Sequence, residues 1–145
     1  MYEKAAFVKR CIIPVTGFFE PYHYNNQSYP IHIKRKDADL IGLAGIYTVV
    51  ENIVTYTILT KNASPLFGKI HNKKLRQPVI IPKDLEKDWL DTSLHQAEIE
   101  QLIATPYKDV EIDAYAVSKD LFNSRVDSNT ASILKQDLSL RFSFI

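Results

Sequence analysis

Two residues in this sequence have the chemistry of proton transfer and stand in unusual company. Glu20 lies in the run Phe18-Phe19-Glu20-Pro21-Tyr22, where aromatic neighbours can strip water from a carboxylate. Such surroundings disfavour the charged form, raise the pKa and suit general acid–base work. The same glutamate also fits a plainer place, on the solvent side of an edge strand beside a proline. His71 follows a short helical signal and precedes Lys73, Lys74 and Arg76. An imidazole there can exchange protons near neutral pH, or can simply complement the C-terminal end of a helix. The three cations can hold phosphates, with Thr60 adding a hydroxyl contact; a solvated basic loop accounts for them equally well. Cys11 is a poor nucleophile candidate, because it adjoins Ile12-Ile13 in an apolar run, where a free thiol behaves as a small hydrophobe. His23, His32 and His95 lack metal-ligand spacing with one another or with the lone cysteine, so no metal and no cofactor is expected. A His23–His32 pair across a hairpin is conceivable, with ordinary packing the plainer alternative.

The elements that must carry these residues centre on the stretch 54–82. Residues 54–60 are β-branched and aromatic and read as a strand. Asn62 and Ser64 before Pro65 signal a helix start, with proline at the first helical position. That helix must be short, since Gly68 interrupts it and His71-Asn72 follows. Such a layout can hold an anion at the helix N-terminus beside the imidazole. The spacing predicts strands near 11–14, 18–24, 29–35, 40–49, 54–60, 78–81, 110–117 and 138–145, forming one sheet system. Gly42 and Gly45 mark bulges or close backbone approach. Helices are expected near 65–70, 84–91 (capped by Asp84, with Leu85, Trp89 and Leu90 on one face) and 94–104 (opened by a Ser93/Gln96 capping box). Residues 2–10 read as the last turns of another helix, and 119–135 as polar and irregular. The class is α+β, strand-rich, with two to three short helices.

Composition narrows the function classes. A chain of 145 residues is one domain by length and can bury a real core. Its 46% hydrophobic and 24% charged content is ordinary for a soluble protein. A net charge of +1 supplies no global pull toward nucleic acid or membrane, so any anion site must be a local cluster. One cysteine excludes an internal disulfide framework. No apolar run approaches the ~20 residues of a membrane span, and the cytoplasm is the default compartment. No P-loop, GxSxG or HExxH occurs.

Six ordered blocks carry a family resemblance. Arg10-Cys11-Ile12-Ile13-Pro14 followed by Gly17-Phe18-Phe19-Glu20 resembles the "RCLIPxxGFYEW" signature of the SOS-response-associated peptidase (SRAP) family. Leu43 to Tyr47 resembles its "AGLW" strand, and Thr57 to Thr60 with Asn62-Ala63 its "TIITTxAN". Ile70 to Lys74 with Gln77 to Ile80 resembles "IHDRMPVIL". Trp89-Leu90, and Val117-Ser118 with Asn123, match later markers in order. The resemblance implies a compact α+β fold with a bifurcated, barrel-like sheet. It implies capture of abasic sites in single-stranded DNA, a DNA-damage activity. An N-terminal cysteine would condense with the sugar aldehyde through its amine and close a thiazolidine through its thiol. Glu20 and His71 would be the catalytic acid–base pair; Thr60, Asn62, Lys73, Lys74 and Arg76 would touch DNA. The "peptidase" label would reflect self-processing of the N-terminus, leaving the enzyme class (peptidase, hydrolase or lyase-like) open.

Position 2 is Tyr where the resemblance places Cys, Pro21 replaces a tryptophan, and Lys73 replaces an arginine. The chain therefore reads as the C-terminal two-thirds of a SRAP domain, a single incomplete domain over 1–145, truncated at its N-terminus. It would keep the Glu/His pair without the nucleophile. Its partners would be single-stranded DNA and a complementary N-terminal fragment or a second copy, with no membrane involved. The missing strands should leave an apolar groove or an unpaired edge. A non-catalytic single-strand-binding module and an inactive structural remnant are the other readings. In either catalytic or binding form, Glu20 should be the more buried of the pair.

Overall fold

The computed structural model describes residues 9–144. They divide into two compact units, the first of residues 9–15, 40–62 and 77–107 and the second of residues 16–39, 63–76 and 108–144. The strand-rich α+β class holds, with open sheets and, among the described residues, three α-helices. The strands, however, distribute over separate four-, three- and two-stranded sheets.

In the first unit, β4 (Ile41–Val50) is central. It pairs antiparallel with β1 (Arg10–Val15) and with β5 (Ile53–Ile58), and further along with β8 (Ile80–Ile81). The β4–β5 turn is Glu51-Asn52, both at positive φ (49° and 67°), the backbone that a two-residue hairpin turn demands. Beyond β5 the ladder breaks at Leu59, whose N–H donates to the Ala44 carbonyl, and β6 (Thr60–Asn62) then pairs with β7 (Arg76–Pro78). The apolar run expected as one strand over 78–81 is split in the same way by Val79, which bonds to both Leu59 and Ala44. The register of β1 on β4 runs unbroken through Gly42 and Gly45, so there is no bulge there. Close approach explains the glycine instead: a Cβ on Gly45 would lie 2.3 Å from Ile13 Cδ1 and 3.1 Å from the Thr57 carbonyl.

The core of this unit gathers Ala44, Val79, Ile81 and Ile99 around the fully buried Trp89. Burying each large side chain contributes roughly 1.5–3 kcal/mol. Trp89 sits on α2 (Glu86–Leu90), where its indole N–H donates to the Cys11 carbonyl at 2.9 Å. Asp84 does not cap that helix, because Lys83–Leu85 forms a separate 3-10 turn before it, and Leu90 is exposed. Helix α3 (Gln96–Ala104) opens at His95, whose backbone N–H donates to Glu98. Ser93 instead turns back onto Asp91, so the capping box lies two residues later than the Ser93/Gln96 spacing suggests.

The second unit is built on β2 (Phe18–Tyr24), β3 (Gln27–Arg35) and β9 (Ile112–Ala116), in that order. The β2–β3 turn is Asn25-Asn26, again both at positive φ. β9 is shorter than expected, since Asp109–Glu111 is a 3-10 turn and Val110 is exposed. Pro21 stands opposite Pro30; neither can donate, so the pair falls where the ladder makes no hydrogen bonds. One face of β2 presents Phe18, Glu20, Tyr22 and Tyr24. Across it lies α1 (Pro65–Ile70), buried through Leu66, Phe67 and Ile70, with the Phe67 ring stacked 6.2 Å from Phe18. Gly68 is an interior residue of α1, which ends one turn later at His71.

Residues 138–144 form no strand. Their alternation is satisfied by packing rather than pairing, as Phe142 and Phe144 meet Tyr22 edge-on at 4.8 and 5.1 Å. The helix expected over 2–10 lies outside the described residues except at its end, where Arg10 opens β1.

Candidate functional site

The second unit brings Glu20 and His71 together. Glu20 Oε2 lies 3.3 Å from His71 Nδ1. Fifty residues separate them in sequence; β2 carries one and the end of α1 the other. The geometry starts at Ser64, whose hydroxyl accepts from the Phe67 N–H at 3.4 Å, with Pro65 at the first helical position. The carboxylate of Asp109 accepts from the Leu66 N–H at 3.3 Å and from the Ser64 hydroxyl at 3.0 Å. This internal carboxylate already occupies the helix N-terminus, so the anion expected there is Asp109 itself.

His71 is the C-cap of α1, its N–H bonded to the Phe67 carbonyl. A tight turn follows, closed by the Leu75 N–H on the His71 carbonyl at 3.0 Å. Leu75 sits at φ 50°, in the left-handed region, where a branched residue costs of order 1 kcal/mol. Asn72 clamps this turn to the strand that carries Glu20. Its Oδ1 accepts from the His23 N–H at 3.0 Å and its Nδ2 donates to the His23 carbonyl at 2.9 Å. Asn72 is the positioning residue that sequence reasoning missed; its only signal is an amide directly beside the histidine.

His71 Nδ1 also lies 3.1 Å from the Arg76 carbonyl. A carbonyl can only accept, so the proton resides on Nδ1 and Nε2 is left for a ligand. The Glu20 pKa is raised by burial, with the neighbouring imidazole pulling the other way. Its side chain is 17% exposed and that of His71 14%. The expectation that Glu20 would be the more buried is therefore corrected. The turn after α1 covers both groups to the same degree. An acid and an imidazole in hydrogen-bond range, each with a narrow opening to solvent, can pass a proton to a small reacting group.

Lys73 and Lys74 follow on the same turn and are exposed, as is Arg76. Thr60 and Asn62 belong to the first unit, exposed on β6, while Lys61 between them turns inward. Its ammonium donates to the Ile103 and Thr105 carbonyls at 2.9 and 2.6 Å, closing the C-terminal end of α3, and burial lowers its pKa. His23 and His32 do not face each other. His32 is buried, hydrogen-bonded at 3.0 Å to the Tyr115 hydroxyl, its pKa lowered by burial and by Lys34. Gly17 makes room for that ring, since a Cβ there would meet His32 Nε2 at 2.5 Å. The Cys11 thiol is half-buried and its pKa is pushed up by burial. Among the described residues no cluster of three metal-ligating side chains occurs, and no helix is long and apolar enough to cross a membrane.

Residues 1–124 match the family described as "SOS response associated peptidase (SRAP)". The chain is 34% identical to Abasic site processing protein YoaM of Bacillus subtilis (strain 168), over 91% of this chain and 61% of that protein. It is 27% identical to Abasic site processing protein YMR114C of Saccharomyces cerevisiae, over 83% and 34%. A crystal structure of a Bacteroides thetaiotaomicron protein superposes with a TM-score of 0.85 at 31% identity, over 94% of this chain and 60% of that one. The chain thus spans about three-fifths of the length of the Bacillus relative.

Proposed function

This chain belongs to the SRAP family, and from that premise we propose that it recognises abasic sites in single-stranded DNA, with Glu20 and His71 as the proton-transfer pair. The observation that carries the reading is their 3.3 Å contact, which joins a carboxyl whose pKa burial raises above its ordinary value to an imidazole. An abasic deoxyribose opens to an aldehyde. An amine adding to it gives a carbinolamine, which reaches the imine only by losing water. That loss needs a proton on the departing hydroxyl, and protonated Glu20 can deliver it. His71 holds the carboxyl in place and can take up the proton released from nitrogen. Lys73, Lys74 and Arg76 would hold phosphates on the strand.

Within residues 1–145 a stable thiazolidine cannot form. Position 2 is Tyr, and the nitrogen of the sole cysteine, Cys11, is a peptide amide. This observation favours a second reading, single-strand binding without covalent capture by this chain alone. The two readings are joined by a complementary segment that supplies the amine and thiol. The outer edge of β5 supports such a segment: it has no partner among the described residues, and Ile53, Val54 and Tyr56 on it are 65, 63 and 60% exposed. An edge of this kind seats another strand.

The test is incubation with an abasic oligonucleotide followed by denaturing electrophoresis. The chain alone is expected to give no heat-stable shifted band, and to do so once a fragment with an N-terminal cysteine is added. A heat-stable band from the chain alone would overturn the assignment of the nucleophile to another segment. Lys73, Lys74 and Arg76 together should contribute about −2 to the log–log salt slope of reversible binding, three phosphate contacts at ~0.7 each.

A further inference from the structure

We infer that the cleft lined by Tyr22, Tyr24, Phe142, Lys69 and Arg141 is a stacking site for an intact base of the same single strand, adjacent to the damaged nucleotide. The inference rests on the reading above and adds a subsite to it. The cleft has a volume of about 520 Å³, in the size range of small-ligand sites, roughly 300–1,000 Å³. It continues the Glu20–His71 site along two elements. Tyr22 and Tyr24 follow Glu20 on the same face of β2, at successive two-residue steps. Asn72, the neighbour of His71, also lines it.

The lining has the two chemistries a nucleotide requires. Tyr22 and Tyr24 lie with ring planes 9° from parallel, 6.4 Å between centroids, and Phe142 packs edge-on against both. Behind them Phe144 is buried and fixes the floor. Tyr24 is 49% exposed, so much of its ring remains open to a ligand. A large aromatic surface left open on a strand end is a platform for any base, because every base has a π face. Lys69 and Arg141 supply positive charge at the same cleft, and neither forms an ion pair among the described residues. Aromatic rings with flanking unpaired cations match the alternation of base and phosphate in a single strand. A duplex hides its base faces and is excluded by the same chemistry. Arg141, Phe142 and Phe144 lie beyond residue 124, where the family match ends.

The test compares oligonucleotides by fluorescence anisotropy: one with a single abasic site, one with the adjacent base also removed, and one undamaged. Removing the adjacent base should weaken binding about tenfold. Tyr24→Leu, which keeps bulk at an exposed position and removes the ring, should lose about the same factor on strands that carry that base and nothing on the strand that lacks it. Arg141→Gln should reduce the salt slope by ~0.7. Circular dichroism melting of each variant establishes that it is folded. Equal affinity of the wild-type chain for the first two oligonucleotides, or of Tyr24→Leu for the first, would overturn the platform. A preference for the abasic strand over the undamaged one that persists under that result leaves the abasic reading standing. Base-dependent binding with no abasic preference supports the platform and removes the abasic reading.

Discussion

Each unit removes a polar side chain from water, and the two do so in opposite ways. In the first, Arg10 is buried with its guanidinium against the Trp89 ring, 5.6 Å from the centroid, donating from Nε to the Trp89 carbonyl at 2.7 Å and from a terminal nitrogen to that of Asp91. These two donors end on backbone carbonyls that cannot titrate, and the Asp91 carboxylate adds a coulombic attraction. In the second, Glu20 and His71 meet each other, both can change protonation, and both keep an opening to solvent. A buried charge tied to the backbone holds architecture in place; two titratable groups facing each other can do chemistry. His32 makes the same point within the second unit. It is more buried than His71 and bonded to Tyr115, so it packs rather than reacts.

The contrast predicts which substitutions cost stability and which cost function. The largest effect belongs to Trp89→Ala, which should lose about 3–5 kcal/mol in urea unfolding. A loss below ~1 kcal/mol would mean that the first unit is not organised around that ring. Arg10→Met keeps the aliphatic stem but strands two carbonyls, and should cost about 2 kcal/mol while leaving DNA binding by the folded protein unchanged. Glu20→Gln should show the inverse pattern. The raised pKa of Glu20 means that its favourable contribution is fully present below the ordinary carboxyl value and is lost as pH rises through the folded value. Wild type should therefore lose stability relative to Glu20→Gln as pH climbs from that ordinary value toward neutrality. Thermal melts at a series of pH values check the sign, and a difference that runs the other way would contradict the burial argument. The smallest effect is Leu75→Asn. Asparagine tolerates the left-handed backbone, so the midpoint of urea unfolding should rise by the equivalent of about 0.5 kcal/mol.

What the sequence made legible follows the range of the physics involved. The strands of β1, β2 and β4 and the Ser64-Pro65 helix start are local signals, and they appear where expected. The alternation over 138–145 predicts pairing, but period 2 also describes an extended segment whose rings pack. Only the presence of Tyr22 and Tyr24 on β2 distinguishes the two, and that is tertiary information. Likewise nothing local shows that Glu20 would meet His71. The six ordered motif blocks pointed to both residues, while the Asn72 clamp and the Asp109 carboxylate at the start of α1 are long-range contacts no short pattern encodes. The equal burial of Glu20 and His71 has the same origin, because it depends on how the turn after α1 lies over β2.

In the function proposed above, the Glu20–His71 pair is what distinguishes an abasic residue from an intact one. The most direct measurement is the ratio of affinities for abasic and undamaged single strands of the same length, in wild type, Glu20→Gln, His71→Ala and Arg10→Met. The expected result is a preference for the abasic strand of about tenfold, the scale of one well-made hydrogen bond. It should be retained in Arg10→Met and lost in both Glu20→Gln and His71→Ala. An unchanged ratio in the folded Glu20→Gln and His71→Ala proteins would contradict it.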